Sequence, residues 1–341
     1  MRTLLVILIG CGAAAAAERY SMSMRESPVP IAVLKDEQAG MEASIAASQG
    51  GELCGLRYRF KGQWTELIYR ACNYSPDSGW RGKAPLLWPA TGGTYGPKDP
   101  AGQREGSYEI NGKRYNMPFH GFVQNAQWKL ERVRSDDGGA YARVTLQDNA
   151  RSRQWYPFGW TLAADYKLAD GKLIIAYTVT ASKQNRARMP FSIGNHITFV
   201  TPLVRGSDPG KMDLVSAARH RMTKDQRNRP TGGTEPPPFQ GQMALGDFVA
   251  NSVESLGGYE GDPEITLVDP QGLRLRMSHK TDRPPRQPYV QFNVWGDPRA
   301  GYFSPEPWVG LQNGLNLKQG LVELAPGETW NWQIEIEPSG K

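Results

Sequence analysis

The chain is poor in the residues around which many enzymes are built. It holds three cysteines and four histidines in 341 residues. No Cys/His/Asp spacing matches a structural or catalytic zinc site. No G-x-S-x-G, phosphate loop or dinucleotide fingerprint occurs. Thr91-Gly92-Gly93-Thr94 and Thr231-Gly232-Gly233-Thr234 read as turns, not phosphate cradles. Apolar residues at helical spacing are missing over any long stretch, no internal repeat is visible, and past the N-terminus no apolar run could cross a bilayer. These gaps leave little room for a zinc enzyme, a nucleotide-binding α/β protein or a helical bundle. The formal charge is +6, but the basic residues are spread out. The densest run, Arg219 to Arg229, reads as a solvated loop, without the aromatic interleaving of a nucleic-acid footprint. No nucleic-acid partner is expected. An anionic sugar or a negatively charged envelope surface accounts for the balance equally well.

What is abundant is turn and strand material. Gly (38) and Pro (26) punctuate the chain, and 10 Trp and 14 Tyr supply rings that fill cores and stack on sugars. Period-two alternation recurs: Trp330, Trp332, Ile334 and Ile336 share one face, and Leu173 to Thr180 and Tyr141 to Gln147 read as strands. Asn111-Gly112, Asp137-Gly138, Asp170-Gly171 and Asp269-Pro270-Gln271-Gly272 each sit between strand-like runs, as hairpin turns do. Many antiparallel strands without helical cover must bury their faces on one another. The expected fold is therefore all-β, a large antiparallel β-sandwich. Residues 205–248, rich in Gly, Pro, Arg and Gln, read as a long loop lying over a site within one domain that spans 18–341. A monomer is the default expectation.

The N-terminus reads as an export signal. Met1-Arg2, an apolar run from Thr3 to Gly10 and small residues Ala13 to Ala17 suit cleavage after Ala17. Leu8-Ile9-Gly10-Cys11 also resembles a lipoprotein box, with Cys11 as a lipid anchor. The expected location is periplasmic or secreted, or membrane-anchored in the second case. Cys54 and Cys72 remain. Leu56 to Phe60, a turn at Lys61-Gly62-Gln63 and a second strand from Trp64 to Tyr69 would bring them face to face across a hairpin. Two buried thiols would fit the same placement; export favours a disulfide.

Three of the four histidines have unusual settings. His120 follows Met117-Pro118-Phe119 at a kinked entry to a strand. His196 ends Gly194-Asn195-His196, which interrupts an apolar run and presents polar groups at a strand end. His279 lies within a strand-like run, and His220 lies in the basic loop. Any one of them alone is more often structural than catalytic. Glu306 is boxed by Pro305, Pro307 and Trp308. Rigid and shielded surroundings raise a carboxylate pKa toward working pH, although a turn glutamate between prolines would read the same way.

At these residues the chain resembles the aldose 1-epimerase family, and most of all its bacterial branch of broad-specificity sugar and hexose-phosphate mutarotases. The resemblance runs in order through Gly50-Gly51-Glu52, Pro85-Leu86-Leu87-Trp88-Pro89, His120-Gly121-Phe122 with Trp128, Met189-Pro190-Phe191 to Phe199, Pro230-Thr231-Gly232, Glu306-Pro307-Trp308 and Leu324 to Glu328. It implies a galactose mutarotase-like supersandwich that interconverts the α and β anomers of a free sugar, with no metal or cofactor. Glu306 would be the base and His196 the acid. His120 would hydrogen-bond the sugar or its developing oxyanion, Trp308 would stack on the ring, and Asn195 would bind substrate. The chain departs from the pattern at Gly93 and Gln124, where many members carry arginines that help bind sugar hydroxyls or phosphate. A non-catalytic carbohydrate-binding module and a polysaccharide-processing enzyme are the alternatives on this fold; the single good carboxylate argues against hydrolysis, which usually needs two.

Overall fold

The computed structural model describes residues 18–26, 29–75, 82–99, 105–226 and 229–340. Residues 1–17, read above as an export signal, and with them Cys11, lie outside the described residues. The fold is a large antiparallel β-sandwich built on hairpins. Asn111-Gly112 joins Glu105–Ile110 to Lys113–Pro118, and Asp170-Gly171 joins Trp160–Ala169 to Lys172–Ala181. All four turn residues have positive φ, from 51° to 71°, the geometry that makes Asn-Gly and Asp-Gly tight hairpin turns.

A nine-stranded sheet runs in the order Gly241–Ala244, Asp213–Ser216, Glu264–Val268, Arg274–Thr281, Thr329–Ser339, Lys172–Ala181, Trp160–Ala169, Gly139–Gln147 and Lys129–Asp136. The alternation at its centre is clean: Trp330, Trp332, Ile334 and Ile336 are buried while Asn331 is exposed. An eight-stranded sheet faces it, in the order Pro230–Glu235, His220–Lys224, Val253–Gly257, Val290–Asp297, Tyr302–Gly310, Ile193–Asn195 and Leu86–Leu87, with Phe199–Val200 beside Tyr302–Gly310. Polar side chains cross between the two: Asn195 Nδ2 donates to Tyr177 Oη at 2.8 Å, and His279 Nε2 donates to the Gln291 carbonyl at 2.7 Å. A five-stranded sheet from Tyr20–Arg25 to Gln63–Glu66 packs alongside, and one hydrophobic cluster extends from Tyr20 to Ile336.

Three expectations need correction. Residues 205–248 are not a bare loop. They contribute two short strands to the edge of each large sheet, Asp213–Ser216 with Gly241–Ala244 and His220–Lys224 with Pro230–Glu235. Edge strands tolerate Pro and Gly, so the composition concealed them. The second strand of the cysteine hairpin ends at Glu66. Cys72 reaches Cys54 from a turn, with its own φ at 47°, and its N–H donates to the Cys54 carbonyl at 2.7 Å. The two cysteines are joined in a disulfide, with Cα atoms 4.7 Å apart. Finally, His120 does not enter a strand but leaves one, just after Lys113–Pro118, with a φ of 66°.

Candidate active site

The site begins as a break in a ladder. Tyr302–Gly310 pairs along one side with Val290–Asp297, which sets Asn293 opposite Glu306. On its other side Gly194 pairs with Trp308 and Phe199 with Phe303, and between them the neighbouring chain loops away. Among the described residues none is paired in the ladder with Ser304 to Pro307 on that side, so prolines at 305 and 307 are tolerated there. The loop that leaves is His196 to Thr198, and it hangs His196 beside Glu306. It is pinned at both ends: the His196 N–H donates to the Pro85 carbonyl at 2.9 Å, and Thr198 and Ser304 share a hydroxyl hydrogen bond of 2.8 Å. Gly194 is required here, because a Cβ on it would fall 2.5 Å from the Trp308 ring.

Glu306 is 1% exposed. Asn293 Nδ2 donates to its Oε1 and Trp308 Nε1 to its Oε2, each at 3.1 Å. His196 Nε2 stands 3.5 Å from Oε1, with a side-chain exposure of 12%. Burial pushes the Glu306 carboxyl well above its ordinary range, against the two hydrogen bonds that favour its ionised form. The same burial pushes the His196 imidazole down to about 4. Both shifts run toward the uncharged forms of the pair, a protonated carboxyl opposite a neutral imidazole.

His120 completes the inner wall. Its Nδ1 accepts from the Gly92 N–H at 2.9 Å, and its own N–H donates to the Gly92 carbonyl at 2.9 Å. The neutral ring then carries its proton on Nε2, as a donor. Its centroid lies 5.6 Å from that of His196 and 6.3 Å from Trp308. Gly121 serves the backbone: with a φ of 72°, a Cβ there would lie 2.0 Å from the Trp88 carbonyl oxygen.

These groups line a cleft of about 690 Å³, together with Tyr95, Gln124, Lys224, Arg229, Trp295, Tyr302 and Gln312 among others. Four of the five expected site residues thus meet: Glu306, His196, His120 and Trp308. Trp308 also does more than shield, since its indole holds the carboxylate. Asn195 does not join them. Strand alternation turns it the other way, into the space between the sheets, where it donates to Tyr177 Oη and to the Ala84 carbonyl at 3.3 Å. His279 is a core residue, held by the Gln291 carbonyl and by Trp332 Nε1 at 3.1 Å. His220 packs on Gly257 and Gly258, away from the cleft. Sequence reasoning missed Asn293, Trp295, Lys224 and Arg229. Asn293 alternates with Gln291 among the apolar residues Val290 to Trp295, so strand pairing rather than local sequence singles it out. At Gly93 a Cβ would meet the Tyr95 ring at 2.1 Å, so that ring takes the space in which a side chain at 93 would start. Among the described residues, no group of three or more His, Cys, Asp or Glu is arranged to hold a metal ion.

Comparison with known proteins points the same way. A family model described as aldose 1-epimerase matches residues 101–337. A protein of Salmonella typhimurium, provisionally named a glucose-6-phosphate 1-epimerase, is 31% identical over 88 residues; the match spans 26% of this chain and 24% of that relative's length. Among solved structures, a galactose mutarotase-like protein from Clostridium acetobutylicum superposes with a TM-score of 0.76 at 19% identity, over 94% of this chain and 98% of the other. The Slr1438 protein of Synechocystis sp. PCC 6803 gives 0.73 at 22% identity, over 95% and 97%. At such identities the structural likeness concerns the fold.

Proposed function

The chain belongs to the aldose 1-epimerase family, and from that premise we propose that it interconverts the anomers of a free sugar by acid–base ring opening, with Glu306 and His196 as the proton-transfer pair. The observation that carries this reading is the pair itself: a carboxyl and an imidazole 3.5 Å apart at the floor of a cleft.

Anomerisation needs one proton taken from the C1 hydroxyl and one given to the ring oxygen. C1–C2 rotation in the open-chain aldehyde exposes the other carbonyl face, and closure reverses both transfers. A pair that holds a single proton can supply both ends of that exchange, provided the groups are positioned against the two oxygens. For Glu306 to act as base, the proton must first pass to His196. A sugar C1 hydroxyl donating to Glu306 adds a third hydrogen bond to those of Asn293 and Trp308, and each favours the ionised carboxylate. His120, as an Nε2 donor in the wall, supports the oxygen on which charge develops. Among the described residues Glu306 is the one carboxylate lining the cleft, which disfavours two-carboxylate hydrolysis.

The test is polarimetry or time-resolved NMR on freshly dissolved α-glucose and α-galactose. Acceleration of anomerisation that vanishes in Glu306→Gln is expected. Saturable sugar binding with no acceleration would make the protein a binding module. We further propose that the protein works in an oxidising compartment. The N-terminal sequence supports this, as does the Cys54–Cys72 disulfide, which a reducing cytosol would not maintain. Mass spectrometry of non-reduced material checks it, and two alkylatable thiols in exported protein would count against it.

A further inference from the structure

The cleft carries two cations that the ring-opening chemistry does not use. Lys224, the last residue of His220–Lys224, and Arg229, one residue before Pro230–Glu235, come from the hairpin that forms one edge of the eight-stranded sheet. Both side chains are half-buried. The Lys224 ammonium donates to the Val253 carbonyl at 2.7 Å, and Arg229 Nη2 donates to the Asp99 carbonyl at 3.0 Å. The Arg229 guanidinium lies over the Tyr95 ring, 5.1 Å from its centroid. Neither cation has a carboxylate ion-pair partner within 4.0 Å among the described residues. By contrast, half-buried Arg221 bonds Glu235 at 2.7 Å and Glu254 at 3.0 Å, and half-buried Arg276 bonds Glu264 at 2.9 Å. Glu254, itself bonded to Arg221, acts on Lys224 through its field without an ion pair, and among the described residues the one carboxyl lining the cleft, that of Glu306, is pushed by burial toward its uncharged form, so a ligand's negative charge would answer both cations.

We propose that the substrate is an aldose carrying a carboxylate, a hexuronate, and that Lys224 and Arg229 bind that carboxylate while C1 sits at Glu306 and His196. This rests on the ring-opening reading above and adds the substrate class to it. Backbone carbonyls hold both cations in place, so they are ready before the ligand arrives. Each has already spent one donor. Tyr95 covers one face of the guanidinium, leaving its edge to the ligand. One remaining donor from each matches the two oxygens of one carboxylate. A phosphate monoester, with three acceptor oxygens and close to two negative charges, is the rival anion that a comparison of substrates must separate from a carboxylate. Tyr95 has a second part in this. It fills the space at Gly93 and supports Arg229, so positive charge enters the wall from the edge hairpin.

Initial rates of anomerisation are to be compared for galacturonate, galactose and galactose 6-phosphate. We expect kcat/KM for galacturonate to exceed that for galactose by about tenfold to a hundredfold, the size of a charge-assisted contact. The ratio should collapse in the double variant K224Q/R229Q and persist in K224R/R229K. The KM for galacturonate alone should rise with added salt. Equal use of galactose and galacturonate, preference for the phosphate, or a ratio unmoved in K224Q/R229Q overturns the proposal. If no sugar is anomerised, calorimetry separates the two readings. Galacturonate binding that K224Q/R229Q abolishes and K224R/R229K restores upholds the carboxylate site while the mutarotase reading falls. Absence of galacturonate binding to the wild-type protein overturns the site.

Discussion

His196 and His279 are two imidazoles, the first largely and the second fully buried, whose pKa values desolvation lowers to the same point, about 4. Each has a tryptophan indole close by. In the core between the sheets, Trp332 Nε1 donates to His279 Nδ1 while the Gln291 carbonyl accepts from Nε2. Both nitrogens are consumed by groups that do not titrate. In the cleft, Trp308 Nε1 donates instead to Glu306, and the imidazole faces that carboxyl. The difference shows that burial and a shifted pKa do not by themselves mark a site. A core histidine is perturbed and idle. A site histidine is perturbed, opposed by a group that can exchange its proton, and open to a ligand on one side.

The largest effect should come from that contrast. Glu306→Gln and His196→Asn are each expected to lower kcat by about two to four orders of magnitude, the range of a positioned proton-transfer group. His279→Asn should leave kcat near wild type and cost about 1 to 3 kcal/mol of stability, because it strands buried partners. Steady-state kinetics beside denaturant melts read both. Wild-type rates in either cleft variant, or a collapse of kcat in a folded His279→Asn, would break the comparison.

How far the sequence revealed this contrast depends on what set each residue's role. Glu306 was visible because prolines on either side of a carboxylate are rare within a strand. His196 was visible because Gly-Asn-His breaks an apolar run. The hairpins were visible through Asn-Gly and Asp-Gly, whose left-handed φ values few other residues accept. Asn195 misled because a one-residue step along a strand reverses the face, and local polarity does not say which of two adjacent polar residues looks outward. Asn293 became a partner of Glu306 only through the register of two distant strands. Lys224 and Arg229 were hidden by a composition that resembled a solvated loop, since edge strands bear Pro, Gly and charge without losing their pairing.

A middle-sized effect tests whether His120 belongs with the site or the core. It has features of both: Nδ1 is tied to Gly92, as His279 is tied to Trp332, yet the ring lines the cleft. His120→Asn should lower kcat and kcat/KM together by about 2 to 4 kcal/mol of transition-state stabilisation, the loss of an oxyanion-type donor. A KM that rises with kcat intact would limit His120 to ground-state sugar binding. A lower melting temperature with unchanged kcat/KM would place it with His279.

The smallest effect is thermodynamic, and it locates the proton of the catalytic pair. A histidine whose native pKa is depressed from 6.5 to about 4 binds fewer protons in the native state than in the unfolded chain across that window. Its contribution to stability is complete above pH 6.5 and is lost as the pH falls through 4. Glu306 has the opposite sign. Its raised pKa favours the native state at low pH, and that contribution fades as the pH rises through its native value. Melting curves across pH should therefore show a shallower acid limb in both His196→Asn and His279→Asn, and a shallower alkaline decline in Glu306→Gln. The informative case is His196→Asn. If its acid limb matches wild type while that of His279→Asn flattens, His196 is already protonated in the native protein. The resting pair would then be an imidazolium and a carboxylate, the charged arrangement in which Glu306 is ready to act as base before any sugar arrives. If both limbs flatten alike, the resting pair is neutral, and the substrate's own hydroxyl must draw the proton across the 3.5 Å gap from Glu306 to His196.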